Sequence, residues 1–237
     1  MKVSRTVAKL VHFINERTVS LNINKLRGVV TRFPNDANQI CLTVDDGPSG
    51  YSTADILDCL AGYRIRATFF CTGQNAQRYP HLLRDIVRQG HEVGSHSMTH
   101  PNFHICSISR VYQEMKNSRR VLEKIGNCRV TSFRAPYNSF SWEVRPIGML
   151  IGTPHLIGWH VAPRHDAVDP VSMAEIIIKE TSSGSVIGLH DGLVGQQSEL
   201  AAKVSRAAAE CVREVVPMLL EKGFKFKTVR EQLHYLD

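Results

Sequence analysis

From residue 39 onward, short apolar runs alternate with longer helix-like stretches, which predicts an α/β fold of parallel strands wound into a sheet or a barrel. Two further observations support that class. Glycines at 90, 126 and 223 each follow a helical pattern, where helix-ending glycines occur. Unusual polar residues fall just after the strand-like runs, and parallel α/β folds gather their active sites at the carboxyl ends of strands.

The candidate strands are Ile40–Val44, Ala67–Cys71, Glu92–Ser95, Leu156–Trp159, Ser185–Leu189 and Phe224–Thr228. Helix-like segments lie near 52–62, 76–89, 107–125, 171–182 and 198–222. In residues 6–17, Val7, Leu10, Val11 and Ile14 recur at helical spacing and mark one amphipathic face. That segment is basic and could lie on an anionic membrane surface. The stripe is short and lacks Trp, so a helix packed on the domain or a terminal extension is the favoured reading.

The chain has 237 residues and a net charge of +7. Residues 1–38 carry seven Lys or Arg against Glu16 and Asp36, which is +5; the remaining 22 basic and 20 acidic side chains give only +2. The body is nearly neutral and holds no nucleic-acid motif, so nucleic acid is not an expected partner. Six cysteines are scattered without paired spacing. Val7 to Ile14 is interrupted by Lys9 and His12 and resembles no export signal. A reduced, cytoplasmic protein is the expectation.

Four sites could carry chemistry. Asp45 and Asp46 end an apolar strand and precede Gly47 and Pro48. Two carboxylates in one cleft repel unless one protonates or both face a cation; alone, the pair also fits a solvated turn. His96 and His100 stand four residues apart, a spacing that puts both imidazoles on one side of a helical turn. With Asp46 they make two nitrogens and one oxygen, a set that leaves coordination positions open. Arg134 precedes Ala135, Pro136 and Tyr137; it could hold a carboxylate through a bidentate pair, or be a surface residue before a turn. His190 ends an apolar strand, where a lone His is more often a core residue.

Taken in this order, the elements resemble the polysaccharide deacetylase family, the NodB-type carbohydrate esterases (family 4). The matching segments are TVDDGP (43–48), HSMTHP (96–101), RAPY (134–137), a Trp-centred motif at Trp159 and LHD (189–191), within about residues 39–235. Residues 1–38 are set apart as a basic extension. The resemblance implies a distorted (β/α) barrel with about seven parallel strands. It implies one divalent metal, zinc first with cobalt or manganese as alternatives, held by Asp46, His96 and His100. Asp45 matches the general base, His190 the general acid, Arg134 the residue orienting the base, and Tyr137 the backbone oxyanion donor. Leu189 matches the wall of the acetyl pocket, with Trp159 also on the substrate. The implied activity is hydrolysis of N-acetyl groups from N-acetylglucosamine-containing oligo- or polysaccharides.

One motif departs from the family. Ala162 and His165 stand where two Asp are usual, and Asp166 where a second Trp is usual. The family's Asp raises the basicity of the acid His through a charge partner; here Asp166 or Asp191 would have to substitute. Two alternatives follow: a sugar-binding protein with weakened catalysis, or a deacetylase for an O-acetyl ester or a non-sugar amide.

Overall fold

The computed structural model describes residues 28–34, 37–164, 167–192, 194 and 198–233. The strands are β1 (Val29–Val30), β2 (Gln39–Asp45), β3 (Thr68–Cys71), β4 (Glu92–Ser95), β5 (Ser132–Phe133), β6 (His155–Ile157), β7 (Val186–His190) and β8 (Lys225–Phe226). The helices are α1 (Thr53–Gly62), α2 (Gly73–Arg78), α3 (Pro80–Arg88), α4 (Ile108–Gly126), α5 (Val144–Ile151), α6 (Pro170–Glu180), α7 (Glu199–Glu221) and α8 (Val229–Leu233). Every strand pairing is parallel, in the order β1-β6-β5-β4-β3-β2-β7, with β8 beside the start of β2. Seven strands curl into the expected distorted (β/α) barrel.

Two stretches close the curl. Beyond β6, the His160 and Val161 N–H groups both donate to Val186 O (2.8 and 3.2 Å), and the Gly188 N–H donates to Val161 O (2.8 Å). Beyond β1, the Phe33 N–H donates to Gly184 O (2.8 Å). Gly184 has φ +84°, and a Cβ there would stand 1.8 Å from the Phe33 carbonyl oxygen, so only glycine admits this crossing. Val29 and Phe33 are buried. The last residues of the 1–38 stretch are therefore barrel, and the boundary read from sequence falls late. The amphipathic stretch 6–17 lies outside the described residues.

Strand alternation sorts the core into two layers. Ile40, Leu42 and Val44 of β2 and Ile187 and Leu189 of β7 pack with helix residues such as Leu57, Leu83, Val212 and Val215. Cys41, Phe70, Ile157 and Val186 fill the inside together with Phe33 and Val229. The amino end of the barrel is plugged by α8. Buried Glu92 accepts from Thr68 Oγ1 (2.8 Å), Ser132 Oγ (3.0 Å) and the Arg230 N–H (2.8 Å). A cleft is left to the carboxyl end.

Local chemistry explains where the elements depart from expectation. The stretch read as one helix over 76–89 is two, because Tyr79 precedes Pro80 and takes φ −124°, ψ 59°. α5 was not expected, since Pro146 and Gly148 lower its helix propensity. After α4 the left-handed residue is Asn127 (φ 48°) rather than Gly126. No helix among the described residues is long and apolar enough to cross a membrane, and all six cysteines are free thiols.

Candidate active site

Five strand ends deliver the components: Asp45 and Asp46 from β2, His96 after β4, Arg134 after β5, Trp159 after β6 and His190 from β7. Asp46 takes φ +72°, so the chain turns at the strand end and both carboxylates enter the cleft. Both are buried.

Asp46, His96 and His100 bring one donor atom each to within 4.8 Å of one another. The Asp46 Oδ1 atom lies 3.4 Å from His96 Nε2 and 3.2 Å from His100 Nε2. Two ligands held about 2.0–2.1 Å from a tetrahedral centre stand about 3.3 Å apart, so the spacing fits a shared cation. The Nδ1–H of His96 donates to Arg134 O (2.8 Å), which leaves its Nε2 lone pair towards Asp46. Burial lowers both imidazoles to about 3, so both are neutral and free to offer a lone pair to a cation. Burial, then the charges of Asp45 and Asp191, push the Asp46 carboxyl well above the usual range. Asp46 Oδ1 is buried without a hydrogen-bond partner among the described residues. A divalent cation answers all of these at once.

The histidine pair does not ride on a helical turn. Residues 96–100 form an irregular loop in which Ser97 (φ 67°) and His100 (φ 60°) are left-handed, with the ring centroids 5.0 Å apart. Buried Glu114 of α4 holds this loop. Its carboxylate accepts from the Met98 N–H (2.9 Å), the Thr99 N–H (2.7 Å) and the Thr99 hydroxyl (2.8 Å). Sequence reasoning missed Glu114, which sits among ordinary charged residues of an amphipathic helix. Glu114→Ala strands two backbone donors, and such supporting partners are worth roughly 10–100-fold in metal affinity. Competition with a chelator checks this; wild-type affinity in the variant would refute the role.

Arg134 is fully buried and organises the floor of the cleft. Its Nη1 donates to Asp45 Oδ1 (2.6 Å) and Thr43 Oγ1 (2.7 Å), Nε to Ile157 O (3.1 Å) and Nη2 to Gly158 O (2.8 Å). The guanidinium lies over the Phe70 ring, 4.2 Å from its centroid. The pairing with Asp45 is thus through one nitrogen, not bidentate, because the other donors are taken by the carbonyls that end β6. Asp45 Oδ2 stays buried and unpaired among the described residues.

Tyr137 adopts φ 55°, and its ring packs 4.7 Å from that of His100. Trp159 presents its indole edge-on to His190, with centroids 6.2 Å apart. Leu189 needs correction as a pocket wall. It belongs to the layer between strands and helices, because alternation along β7 turns Gly188 and His190 inward and Leu189 outward. The inward place is Gly188, where a Cβ would meet Trp159 Cβ at 3.3 Å and Ala162 Cβ at 3.5 Å. Asp191 is engaged with α1. Its two oxygens accept from the Ser52 and Thr53 hydroxyls, and its N–H donates to Asp45 O (2.8 Å), clamping α1 to the ends of β2 and β7. Ala162 carries no charge, and His165 and Asp166 lie outside the described residues.

Comparison with known proteins identifies the family. The model of the family described as polysaccharide deacetylase matches residues 33–154. A peptidoglycan-N-acetylglucosamine deacetylase of Bacillus cereus is 31% identical over 211 residues, covering 88% of this chain and 94% of the relative. The chain belongs to the polysaccharide deacetylase family. A second member, a chitooligosaccharide deacetylase of Sinorhizobium fredii, is 32% identical over 207 residues, 84% of this chain and 94% of its own. Among solved structures, the family barrel is matched by a peptidoglycan N-acetylglucosamine deacetylase crystallised with a naphthyl N-hydroxybenzamide. That match has TM-score 0.80 and 21% identity over 90% of this chain and 95% of the other, a likeness of fold.

Proposed function

We propose that this protein is a metal-dependent N-deacetylase of N-acetylglucosamine-containing oligo- or polysaccharides, of chitooligosaccharide or peptidoglycan type. The observation that carries this reading is a three-ligand cluster, Asp46, His96 and His100, beside a second buried carboxylate that Arg134 holds by one oxygen. The names of the two family members point to the same substrate chemistry.

An amide carbonyl is a poor electrophile and water a poor nucleophile at neutral pH. When bound, a divalent ion supplies Lewis-acid polarisation of the carbonyl and acidifies water; two imidazoles and one carboxylate suit Zn²⁺, with Co²⁺ or Mn²⁺ as alternatives. Asp45 acts as the general base through Oδ2, while Arg134 is a positioning residue that fixes Oδ1. The Tyr137 N–H serves the developing oxyanion; one such donor is worth about 3–4 kcal/mol in other hydrolases. His190 protonates the departing amine, and Trp159 packs against it to hold the ring in place.

The test is acetate release from N-acetylated chitooligosaccharides and peptidoglycan fragments, after metal stripping and after adding back Zn²⁺, Co²⁺ or Mn²⁺. Acetate is expected only with metal restored. No acetate from folded, metal-loaded protein on either substrate would overturn the proposal, and undiminished release in chelator would remove the metal from it.

A further inference from the structure

Both loops that build the site run on into a second hollow. The chain after His100 continues to Cys106 and the chain after Tyr137 to Glu143. They are tied where the Phe103 N–H donates to the Ser139 hydroxyl (3.0 Å), which donates to Pro136 O (2.5 Å). Between them lies a groove of about 380 Å³, lined by Phe103, Ser107, Ile108, Ser141, Trp142 and Glu143 among others.

Its lining joins two unlike features. Trp142 is 69% exposed, an indole face open to solvent beside a deacetylase cleft. Glu143 is only 5% exposed, yet its carboxylate has no hydrogen-bond or ion-pair partner among the described residues. At the amino end of α5 its side chain makes no capping hydrogen bond. The Ser141 hydroxyl is likewise buried and unpartnered among the described residues. The Ser141 oxygen, buried and unpaired, is unfavourable as it stands, and the Glu143 carboxylate reaches the groove without a partner among the described residues, so a ligand rich in hydrogen-bond donors belongs beside them. A pyranose ring offers both an apolar face for the indole and a rim of hydroxyl donors.

We infer that this groove is a second sugar subsite, in which Trp142 stacks on a neighbouring ring of the glycan whose acetamido group lies at Asp45, and Glu143 and Ser141 bind that ring's hydroxyls. The inference rests on the deacetylase reading above. Trp142 stands five residue steps from Tyr137, a span of at most about 18 Å, so one short glycan reaches both places.

The experiment compares acetate release from the disaccharide and the tetrasaccharide of N-acetylglucosamine. The ratio of kcat/KM for tetramer over dimer is expected to fall about tenfold in Trp142→Ala and in Glu143→Gln, mainly through KM. A second measurement does not depend on turnover. Of the two tryptophans in the chain, Trp159→Phe leaves Trp142 alone, and its emission in metal-free protein is expected to shift saturably with added tetrasaccharide. Unchanged length preference in both variants, or no emission shift, would overturn the subsite. No acetate from wild-type protein together with the emission shift in Trp159→Phe would support the subsite and tell against the deacetylase reading.

Discussion

Asp45→Asn is expected to lower acetate release by about 10²–10⁴-fold, the usual worth of a positioned general base, while the protein keeps its metal. The asparagine retains an acceptor oxygen for Arg134 Nη1, so the floor of the cleft survives, but nothing remains at Oδ2 to take a proton. The variant also removes the countercharge of a fully buried guanidinium. A stability loss towards the lower end of about 3–5 kcal/mol is therefore expected, and turnover is best measured well below the melting transition. Metal content by elemental analysis and acetate release together decide the matter. Wild-type turnover would refute Asp45 as the base; loss of both metal and turnover would mean that Asp45 belongs to the ligand set.

His96→Ala and His100→Ala are each expected to take bound metal from near one equivalent to near none after dialysis. Both imidazoles are held neutral by burial, and each faces Asp46 Oδ1 through Nε2. His96 is further set by Arg134 O, so its loss removes a pre-oriented ligand rather than a mobile one. His190→Ala, which removes a residue outside the cluster, serves as the contrast and is expected to keep its metal. Retention at wild-type stoichiometry in either ligand variant would refute the assignment.

Much of the barrel was legible because its long strands are apolar runs with polar residues at their ends. Asp45, Asp46, His96 and His190 could be picked out by that rule, His100 by its spacing from His96, and Arg134 by the short apolar stretch before it. What escaped had physical reasons. β1 and β5 are two residues each, too short to carry a pattern. β7 is buried on both faces, so its residues read as one apolar run, and nothing in the run says that Leu189 points outward and Gly188 inward. The four-residue spacing of the histidines suggested a helical turn, whereas left-handed Ser97 and His100 reach the same convergence by a loop. Arg134 gives two of its four hydrogen bonds to backbone carbonyls, and Glu114 grips backbone N–H groups; partners of that kind leave no mark in side-chain identities.

The closure of the barrel on β7 has a bearing on how this family can change. The stretch from Gly158 to Val161 is at once the seam of the sheet and the wall that carries Trp159, and its last hydrogen bond joins Gly188 to Val161. Ala162 is the first residue past that fastening, and it is there that the chain begins to part from the usual motif. Substitutions beyond the fastening can alter the surroundings of His190 without loosening a single strand pairing. The scaffold thus lets the surroundings of His190 vary while Asp45, Asp46, His96 and His100, carried by β2 and by the chain after β4, keep their places.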